Sequence, residues 1–456
     1  MSPPSPSDSV ASNDATFFAE LRAREFARLD ATGQVYLDFT GSGLYGASQL
    51  AQHHGWLAEQ VLGNPHSDNR PSTEANEAVE RVRGRVHGFF GTSPDTHEIV
   101  FTSNASGAMK LVAESFPFTA DSRFVMAVDN HNSVGGMRSW ARRAGARIEL
   151  LPLDAELRLA EPLAHLDRVA GAAAPSLFAY PAQSNFSGVK HPLSLVAEAR
   201  ERGFMTFLDT AAYTPTNPAN FTQIGADFCC VSFYKLFGWP TGVGALIARR
   251  EALAMLRRPW YAGGTVDFVS LLNDRHQLRQ GSGAFEDGTL DFLGIAALEP
   301  GLDLLEGVGM PRLQRRVAAL TARLLDELVR FGERIVIYGP RSTEARGGTV
   351  SFNLLDAQGG ILPYERIEGF GRAANVAIRG GCFCNPGVGE VALGIEPGEM
   401  ERCLNEVSEG FTMARLRDCL GPGRAVGALR ASLGIASNED DIRRLGTLIE
   451  DVLKSH

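Results

Sequence analysis

Short apolar runs alternate with amphipathic stretches through the middle of the chain. The runs lack the polar–apolar alternation of a half-exposed strand, so they predict strands buried on both faces. They occupy residues 98–102, 123–128, 147–151, 176–180 and 205–209. Helical spacing recurs between several of them, as at residues 193–202. This alternation predicts a largely parallel sheet covered by helices, in which ligands bind beyond the carboxyl ends of the strands.

The two ends of the chain have a different pattern. Residues 16–29 show helical spacing, residues 35–39 predict a short strand, and a helix begins at Pro71, where Ser72 or Thr73 can cap it. Long amphipathic helices with isolated strands dominate the last third of the chain. Their predicted bounds are helix 311–331, strand 334–338, strand 349–353 and helix 439–453.

These patterns predict an α/β protein with two domains. We expect residues 46–304 to form a large domain around the mostly parallel sheet, and residues 305–456 to form a smaller α+β domain. Residues 16–45 are expected to pack near the small domain. Residues 1–15 are rich in Ser, Pro and Asp, without the basic start and apolar core of a signal peptide, and predict a disordered tail.

Composition narrows the possible partners and the compartment. The formal net charge is −9, from 53 acidic and 44 basic side chains, which argues against a nucleic-acid or anionic-membrane binder. No apolar stretch approaches the roughly 20 residues of a membrane helix. Six cysteines, including the adjacent Cys229 and Cys230 and the pair Cys382 and Cys384, do not suggest a disulfide framework. We therefore expect a cytoplasmic protein in a reducing compartment.

Lys235 is the most informative single residue. The apolar run 227–232 leads directly into the turn that carries it. A lysine placed there can lose its proton by desolvation and then form a Schiff base with an aldehyde. The alternative is that it caps the strand and points into solvent. The spacing of Ser232 and Lys235 also occurs in penicillin-recognising serine enzymes, but their Ser-Asp-Asn and Lys-Thr-Gly motifs are absent.

Three other strand ends carry groups that suit the same ligand. Small and hydroxyl residues at 101–109 leave backbone N–H groups open to a phosphate, although many strand–helix turns look similar. His131 follows a strand and could stack on a flat ring, or be a surface residue. Asp209 closes a strand and could pair with a protonated ring nitrogen, or cap the next segment. Together with Lys235 they describe a pyridoxal-phosphate site.

Eight stretches resemble the class V, cysteine-desulfurase-like branch of fold-type I pyridoxal-phosphate enzymes, and within it the amino-terminal domain of molybdenum cofactor sulfurases. They cover nearly everything from about residue 30 onward. These stretches are Tyr36–Phe39, Asn64–Ser67, Phe101–Ser103, Leu208–Tyr213, Ser232–Gly238, Gly263–Thr265, Phe285–Thr289 and Arg379–Asn385. The resemblance implies the fold-type I architecture, with a large cofactor-binding domain and a smaller C-terminal one.

The resemblance also implies roles at the cofactor. Lys235 would hold pyridoxal 5'-phosphate as a Schiff base, Asp209 would pair with the pyridine nitrogen, and His131 would stack on the ring. Asn185 would face the 3-hydroxyl. The residues that would contact the phosphate are Ala105, Ser106 and Ser232, with Gly264 and Thr265 reaching the phosphate of a neighbouring subunit. That last contact implies a homodimer.

The substrate and the sulfur carrier follow from the same resemblance. Arg379 would bind the carboxylate of a small amino acid through a bidentate pair. Cys384 would attack the sulfur of bound cysteine as a thiolate, which Arg379 and the glycine-rich approach favour, leaving alanine and a persulfide. Alternatives for Cys384 are a buried apolar cysteine or half of a metal-binding pair, the latter without a second Cys/His pair at ligand spacing. Cys382 could be a resolving thiol or a bystander.

The sequence departs from the family pattern at several positions. Ala212 and Tyr234 stand where many bacterial cysteine desulfurases have glutamine and histidine, which agrees with the sulfurase branch. Ala105 lacks a phosphate-binding hydroxyl and leaves only its backbone N–H. Full molybdenum cofactor sulfurases carry a further domain for the pterin, whereas this sequence ends near residue 456, so sulfur transfer to that cofactor would require a separate partner that supplies the domain.

Two other functions remain open from the sequence. The protein could catalyse another class V reaction, such as a C–S β-lyase, epimerase or aminotransferase reaction, in which Cys384 is incidental. It could also be a scaffold that has lost its chemistry, although Lys235, Asp209 and His131 are all retained.

Overall fold

A computed structural model describes residues 6–407, 410–421 and 423–455. The strands are β1 (Val35–Tyr36), β2 (His97–Thr102), β3 (Arg123–Ala127), β4 (Arg147–Leu151), β5 (Ser176–Pro181), β6 (Phe204–Asp209), β7 (Phe228–Ser232), β8 (Gly244–Arg249), β9 (Val266–Ser270), β10 (Arg275–Leu278), β11 (Ile335–Tyr338), β12 (Thr349–Leu354), β13 (Val376–Ala377), β14 (Arg379–Gly381) and β15 (Ala428–Ser432).

The helices include every helix that the sequence pattern predicts. They are α1 (Pro6–Glu25), α2 (Ala27–Thr32), α3 (Ala47–Glu59), α4 (Arg70–Phe89), α5 (Ala105–Ser115), α6 (Asn132–Arg143), α7 (Pro162–Val169), α8 (Leu195–Glu201), α9 (Phe221–Ile224), α10 (Phe233–Phe237), α11 (Arg250–Met255), α12 (Phe292–Ala296), α13 (Leu298–Val308), α14 (Met310–Val329), α15 (Tyr364–Ala373), α16 (Pro386–Ala392), α17 (Pro397–Glu406), α18 (Met413–Leu420) and α19 (Glu439–Lys454), with 3-10 turns at Gly281–Ala284 and Gly332–Arg334. None of the helices among these residues is long and apolar enough to cross a membrane.

The largest sheet is mixed and mostly parallel, as the sequence predicts. Its strand order is β2-β8-β7-β6-β5-β3-β4, and only β8 runs antiparallel to its neighbours. The chain returns antiparallel into β8 because the connection 233–243 is shorter than the crossover that parallel strands require. Val125 of β3 enters one hydrophobic core, whereas Phe124 and Met126 enter another. The sheet is therefore buried on both faces, which explains the unbroken apolar runs.

This topology gathers the predicted functional groups. Strands β3, β5, β6 and β7 run parallel to one another, so their carboxyl ends lie at one edge of the sheet. Beyond those ends follow His131, Asn185, Asp209 and Lys235. Residues spread over more than a hundred positions thus meet in one place because of the order of the strands.

A smaller antiparallel sheet forms beside this edge. Its order is β11-β12-β15-β14, and Arg379 of β14 lies directly opposite Arg430 of β15. The N-terminal part of the chain joins it, since β1 pairs with β13 and Asp38 forms a bridge with Ser432. The predicted boundary between the domains near residue 305 falls within α13 and stays a prediction.

The start of the chain is more ordered than the sequence suggests. Helix α1 begins at Pro6, inside the segment expected to be a disordered tail, and residues 1–5 lie outside the described residues. The Asp14 carboxylate forms an ion pair with Arg312 of α14 at 2.6 Å, which attaches this end of the helix to the protein. Composition alone does not reveal that contact, because its two partners are distant in sequence.

Three helices separate β14 from β15. Helices α16, α17 and α18 follow Cys384 directly and enclose a small core of their own, which includes Ile395, Leu416 and Leu420. Cys403 of α17 and Cys419 of α18 form a disulfide. From the sequence we expected cysteines suited to a reducing compartment and did not predict this disulfide. Sixteen residues of sequence separate the two cysteines, so no motif marked them.

Candidate active site

A cavity of about 150 Å³ lies at the carboxyl edge of the large sheet. It brings together seven of the predicted site residues: Ala105, Ser106, His131, Asn185, Asp209, Ser232 and Lys235. Arg379, Cys384, Gly264 and Thr265 are not part of its lining. Each of these four has a different position relative to the cavity, described below.

Lys235 projects from a short helix into the cavity. Helix α10 ends at Gly238, whose φ of +77° is left-handed and whose added Cβ would lie 2.3 Å from the backbone nitrogen of Tyr45. Among the described residues Lys235 forms no ion pair. Burial lowers the pKa of Lys235; Asp209 opposes this shift and Arg430 adds to it. The structure therefore favours the cavity-facing, reactive position over the solvent-facing strand cap.

Asp209 is held with one oxygen available to the cavity. Its Oδ1 accepts a hydrogen bond from the backbone N–H of Ala211 at 3.0 Å and lies 3.4 Å from the Sγ of Cys230, which can donate to it. In the part of the chain that the structure describes, no donor is bonded to Oδ2. Asp209 is 7% exposed. A buried carboxylate with one open oxygen can pair with a protonated ring nitrogen.

His131 begins α6 and faces the cavity. Its Nδ1 accepts a hydrogen bond from the backbone N–H of Ser133 at 3.1 Å, so the side chain caps the helix. Burial lowers the pKa of His131; the Asp209 carboxylate opposes the shift and Lys235 adds to it. The ring is therefore neutral, and because Nδ1 accepts a backbone donor, Nε2 carries the proton.

The predicted phosphate cradle lies at the start of α5. The side chain of Asn104 caps this helix by accepting from Gly107 N–H at 3.0 Å. Ala105 N–H, which we expected to be open to phosphate, donates instead to Ser232 Oγ at 2.9 Å. The hydroxyl proton of Ser232 is therefore the group that can reach an anion, together with the helix dipole. Ser106 Oγ lies 2.6 Å from Ser133 Oγ.

Arg379 belongs to a pair of arginines that share one carboxylate. Its Nε donates to both oxygens of Asp38, at 2.9 and 3.0 Å. Across the sheet, Nη2 of Arg430 donates to Oδ1 of Asp38 at 2.9 Å and its Nη1 donates to the backbone oxygen of Asn185 at 2.9 Å. Sequence reasoning missed Arg430, which is 2% exposed. The signal that could have found it is a basic residue among the small and apolar residues of the run 428–433.

The loop that carries Cys384 lies against the wall of the cavity. The Cys384 backbone oxygen accepts from Asn132 N–H at 2.7 Å, one residue after His131. The amide of Asn185 donates to the oxygen of Phe383 at 2.7 Å. Cys384 is exposed, whereas Cys382 is partly buried. Within the described residues, no group of three or more His, Cys, Asp or Glu side chains is placed to hold a metal ion.

Gly264 and Thr265 lie away from the cavity in this chain. Thr265 Oγ1 donates to the oxygen of Ala262 at 2.8 Å, and the Gly288 N–H donates to Gly263 at 2.8 Å. Strands β9 and β10 follow as a hairpin. This position is compatible with a contact to another subunit, but the single chain does not bring these residues to its own site.

Sequence reasoning also missed Gln183. It lines the cavity and is 3% exposed, with Nε2 donating to the oxygen of Ala212 at 3.0 Å and Oε1 accepting from Asn217 at 3.2 Å. It stands two residues before Asn185, where strand β5 has just ended. The signal that could have found Gln183 is its spacing from Asn185. Residues two apart in extended chain point to the same side, so both side chains can face the cavity beyond β5.

Comparisons with known proteins show the family of this chain. Residues 35–445 match the family model of aminotransferase class V. The human molybdenum cofactor sulfurase is 35% identical over 463 residues, which cover 95% of this chain and 51% of the human protein. The tomato (Solanum lycopersicum) molybdenum cofactor sulfurase is 33% identical over 468 residues, covering 94% of this chain and 56% of that protein. The chain thus spans about half the length of the curated relatives it matches.

Solved structures show the same fold. The cysteine desulfurase from Thermococcus onnurineus NA1 superposes with a TM-score of 0.79 at 24% identity, over 96% of this chain and 98% of that one.

The cavity also fits the cofactor of this fold. It offers an amine without an ion-pair partner, an open carboxylate oxygen and a hydroxyl at a helix N-terminus, which suit the aldehyde, pyridine nitrogen and phosphate of pyridoxal phosphate. The chain belongs to the aminotransferase class V family and is a pyridoxal-phosphate-dependent enzyme.

Proposed function

We propose that this enzyme removes the sulfur of L-cysteine or a close relative, releases alanine and carries the sulfur as a persulfide on Cys384. The observation that carries the proposal is the hydrogen bond from Asn132 N–H to the Cys384 oxygen at 2.7 Å, next to the cofactor-facing His131. It supports a thiol at the mouth of the cofactor cavity. The similarity to molybdenum cofactor sulfurases and cysteine desulfurases agrees with sulfur chemistry.

The arginine pair is the proposed site for the substrate carboxylate. Arg379 is half-exposed, with a side chain 47% accessible, and one side of its guanidinium is taken by Asp38. Its remaining N–H groups can receive a carboxylate in a bidentate pair. Arg430 lies behind it and adds positive charge without being free to move, because Asn185 and Asp38 hold it.

Lys235, Asp209 and His131 are proposed to bind the cofactor and to move protons. Bound pyridoxal phosphate supplies an electron sink for the carbon atoms of an amino acid. Lys235 Nζ, whose pKa burial lowers, can take and return a proton at the substrate α-carbon. His131 presents its Nε2 proton or its ring face to the cavity, and Asp209 offers Oδ2 to the ring nitrogen.

Cys384 performs the sulfur step in this proposal. Its thiolate Sγ attacks the substrate sulfur, an S–S bond forms, and the bond between the substrate sulfur and Cβ breaks. The electron pair of that bond stays with the carbon fragment, which takes up a proton and leaves as alanine. The sulfur remains on the enzyme as a persulfide, and a separate thiol acceptor then removes it.

We further propose that the enzyme is a homodimer. The tip of the β9–β10 hairpin carries Leu271 and Leu272, which are 84% and 100% exposed, and Phe268 is 65% exposed. Exposed apolar groups on a hairpin that follows Gly264 and Thr265 suit contact with a second copy.

A cytoplasmic location stays a prediction. The proposed role of Cys384 requires a free thiol and favours a reducing compartment, whereas the Cys403–Cys419 disulfide favours an oxidising one.

The test is alanine formation from L-cysteine by protein loaded with pyridoxal phosphate, in the presence of dithiothreitol. We expect alanine and sulfide in equal amounts from the wild type. Cys384→Ser should lose both while keeping the absorbance of the bound cofactor, and Cys382→Ser is the matched control for a nearby thiol. A Cys384→Ser variant that still releases sulfide at the wild-type rate would indicate a lyase in which Cys384 has no role.

A further inference from the structure

Asp129 is a carboxylate sealed beneath the active site and absent from the lining of the cavity. Its exposure is 0%. Oδ1 accepts from Ser184 Oγ at 2.9 Å and from Asn385 Nδ2 at 2.7 Å, and Oδ2 lies 2.9 Å from Nε2 of His191. None of the chemistry proposed above uses this group. A fully buried carboxylate with three partners serves to fix those partners in place.

Asn385 connects that carboxylate to the cysteine loop. It follows Cys384 directly and is 1% exposed. Its Nδ2 donates to Asp129 at 2.7 Å and to Oδ1 of Asn185 at 2.9 Å, so both of its amide protons are used. Asn185 in turn donates to the Phe383 oxygen at 2.7 Å. The two asparagines therefore hold the loop from both sides of the cysteine.

The loop backbone needs such support. Phe383 and Cys384 have φ values of +55° and +56°, in the left-handed region that side chains other than glycine seldom occupy. The Phe383 ring is buried, with its centroid 5.3 Å from that of Phe186 and 4.6 Å from the guanidinium of Arg430. Consecutive left-handed residues persist only where surrounding contacts determine them.

We propose that Asp129 and Asn385 are positioning residues that fix Cys384 for the sulfur step. Asp129 orients the Asn385 amide, and Asn385 and Asn185 hold the backbone on either side of the thiol. Asn185 also lines the cofactor cavity, so one side-chain amide both binds the Cys384 loop and faces the cofactor. The inference rests on the proposed function for the chemical role of Cys384; the placement of the loop does not depend on it.

The experiment compares four variants of the full-length protein loaded with pyridoxal phosphate. Asn385→Ala removes the connection, and Asn385→Asp places a second carboxylate against Asp129. The double variant Asp129→Asn/Asn385→Asp reverses donor and acceptor and restores the hydrogen bond between positions 129 and 385, but not the one from position 385 to Asn185. Asn353→Ala is the matched control, because that buried amide donates to Tyr338 Oη and to Gly427 instead of the cysteine loop.

Three measurements are made on each variant. Hydrogen exchange reports the amides of Asn132 and Asn385, which donate to the oxygens of Cys384 and Cys382. Single-turnover alanine formation from L-cysteine reports the chemistry, and the absorbance of bound cofactor reports its occupancy. We expect both Asn385 single variants to exchange faster at these amides and to form alanine on the order of 100-fold more slowly, at unchanged occupancy. The double variant should recover both properties in part, because it restores one of the two hydrogen bonds of residue 385.

Several outcomes would overturn the inference. They are unchanged exchange in Asn385→Ala, faster exchange with wild-type alanine formation, loss of the cofactor as the main effect, or the same slow turnover in Asn353→Ala. If the wild type itself forms no alanine, the proposed function fails. In that case exchange in Asn385→Ala and in the double variant still decides whether Asp129 and Asn385 position the loop.

Discussion

Among the residues that the structure describes, replacing Asp38 by asparagine removes the only carboxylate bonded to Arg379 or Arg430, the two arginines of the proposed substrate site. The side chain of Arg430 is 3% exposed and that of Asp38 is 13% exposed. Burial lowers the pKa of Arg430 and Asp38 opposes that shift. The Asp38→Asn variant therefore leaves a buried guanidinium without its counter-ion, while changing the shape of the site very little.

The expected loss can be worked from these exposures. Removing one partner of a buried ion pair costs about 3–5 kcal/mol, because the other charge remains desolvated. Arg379 is half-exposed, so its pair with Asp38 adds only about 0–1 kcal/mol. Asparagine keeps one oxygen that can still accept from Arg430. We therefore expect the free energy of unfolding to fall by about 3 kcal/mol.

Urea unfolding followed by circular dichroism measures this loss, on cofactor-free protein to avoid linkage to ligand binding. Asp440→Asn is the control, because Asp440 and its partner Arg443 are 57% and 74% exposed, and we expect a loss below about 0.5 kcal/mol. Adding Arg430→Met to Asp38→Asn should recover most of the stability, since the charge that remains unpaired, on Arg379, is half-exposed to water. A loss in Asp38→Asn no larger than in the control would refute the reasoning. It would mean that the Asn185 carbonyl alone satisfies Arg430.

Three further changes have defined outcomes. In Gly387→Ala the new Cβ would lie 2.4 Å from the backbone oxygen of Val128, so we expect the free energy of unfolding in urea to fall by about 1–3 kcal/mol. Gly398→Ala is the control, because Gly398 is also the second residue of a helix that begins with proline, and its new Cβ would have no atom within 4 Å. We expect the control to leave the free energy of unfolding unchanged. Leu272→Asp should shift the protein toward monomer in light scattering without lowering its melting temperature, and an unchanged mass would count against a dimer through the hairpin. Lys235→Met should stabilise the cofactor-free protein at pH 7. The folded protein disfavours the charged amine, so wild-type stability rises with pH up to the ordinary lysine pKa of about 10.4 and the advantage of the variant shrinks; an advantage independent of pH would contradict this.

Most of the large sheet could be predicted because most of its strands leave a local trace in the sequence. Runs buried on both faces, such as 123–128, are visible as unbroken apolar stretches, and their alternation with helices implies parallel pairing. Strand β8 was missed because its antiparallel course depends on the length of the preceding connection. Helix α1 was missed over its first residues because the contact between Asp14 and Arg312 joins distant parts of the sequence.

The same distinction applies within the site. Lys235, Asp209 and His131 each follow a strand directly, so the strand pattern and the residue type together indicated them. Arg430 lies inside a strand of the small sheet, and only its pairing opposite Arg379 brings it to the substrate side. Local pattern says where a strand ends, but it does not say which strands of another sheet will face that end.

Cys384 shows why motif and geometry must be combined. The motif marks the cysteine, yet an exposed thiol on a loop could belong to a mobile carrier or to a fixed nucleophile. The contacts of Phe383, Asn385 and Asn132 hold the backbone on both sides of the thiol, although φ at Cys384 is +56°. A left-handed cysteine held by hydrogen bonds on both sides is the arrangement expected of a nucleophile that acts from one position. Under the proposed function, the sulfur acceptor would approach Cys384, because hydrogen bonds hold the loop in place.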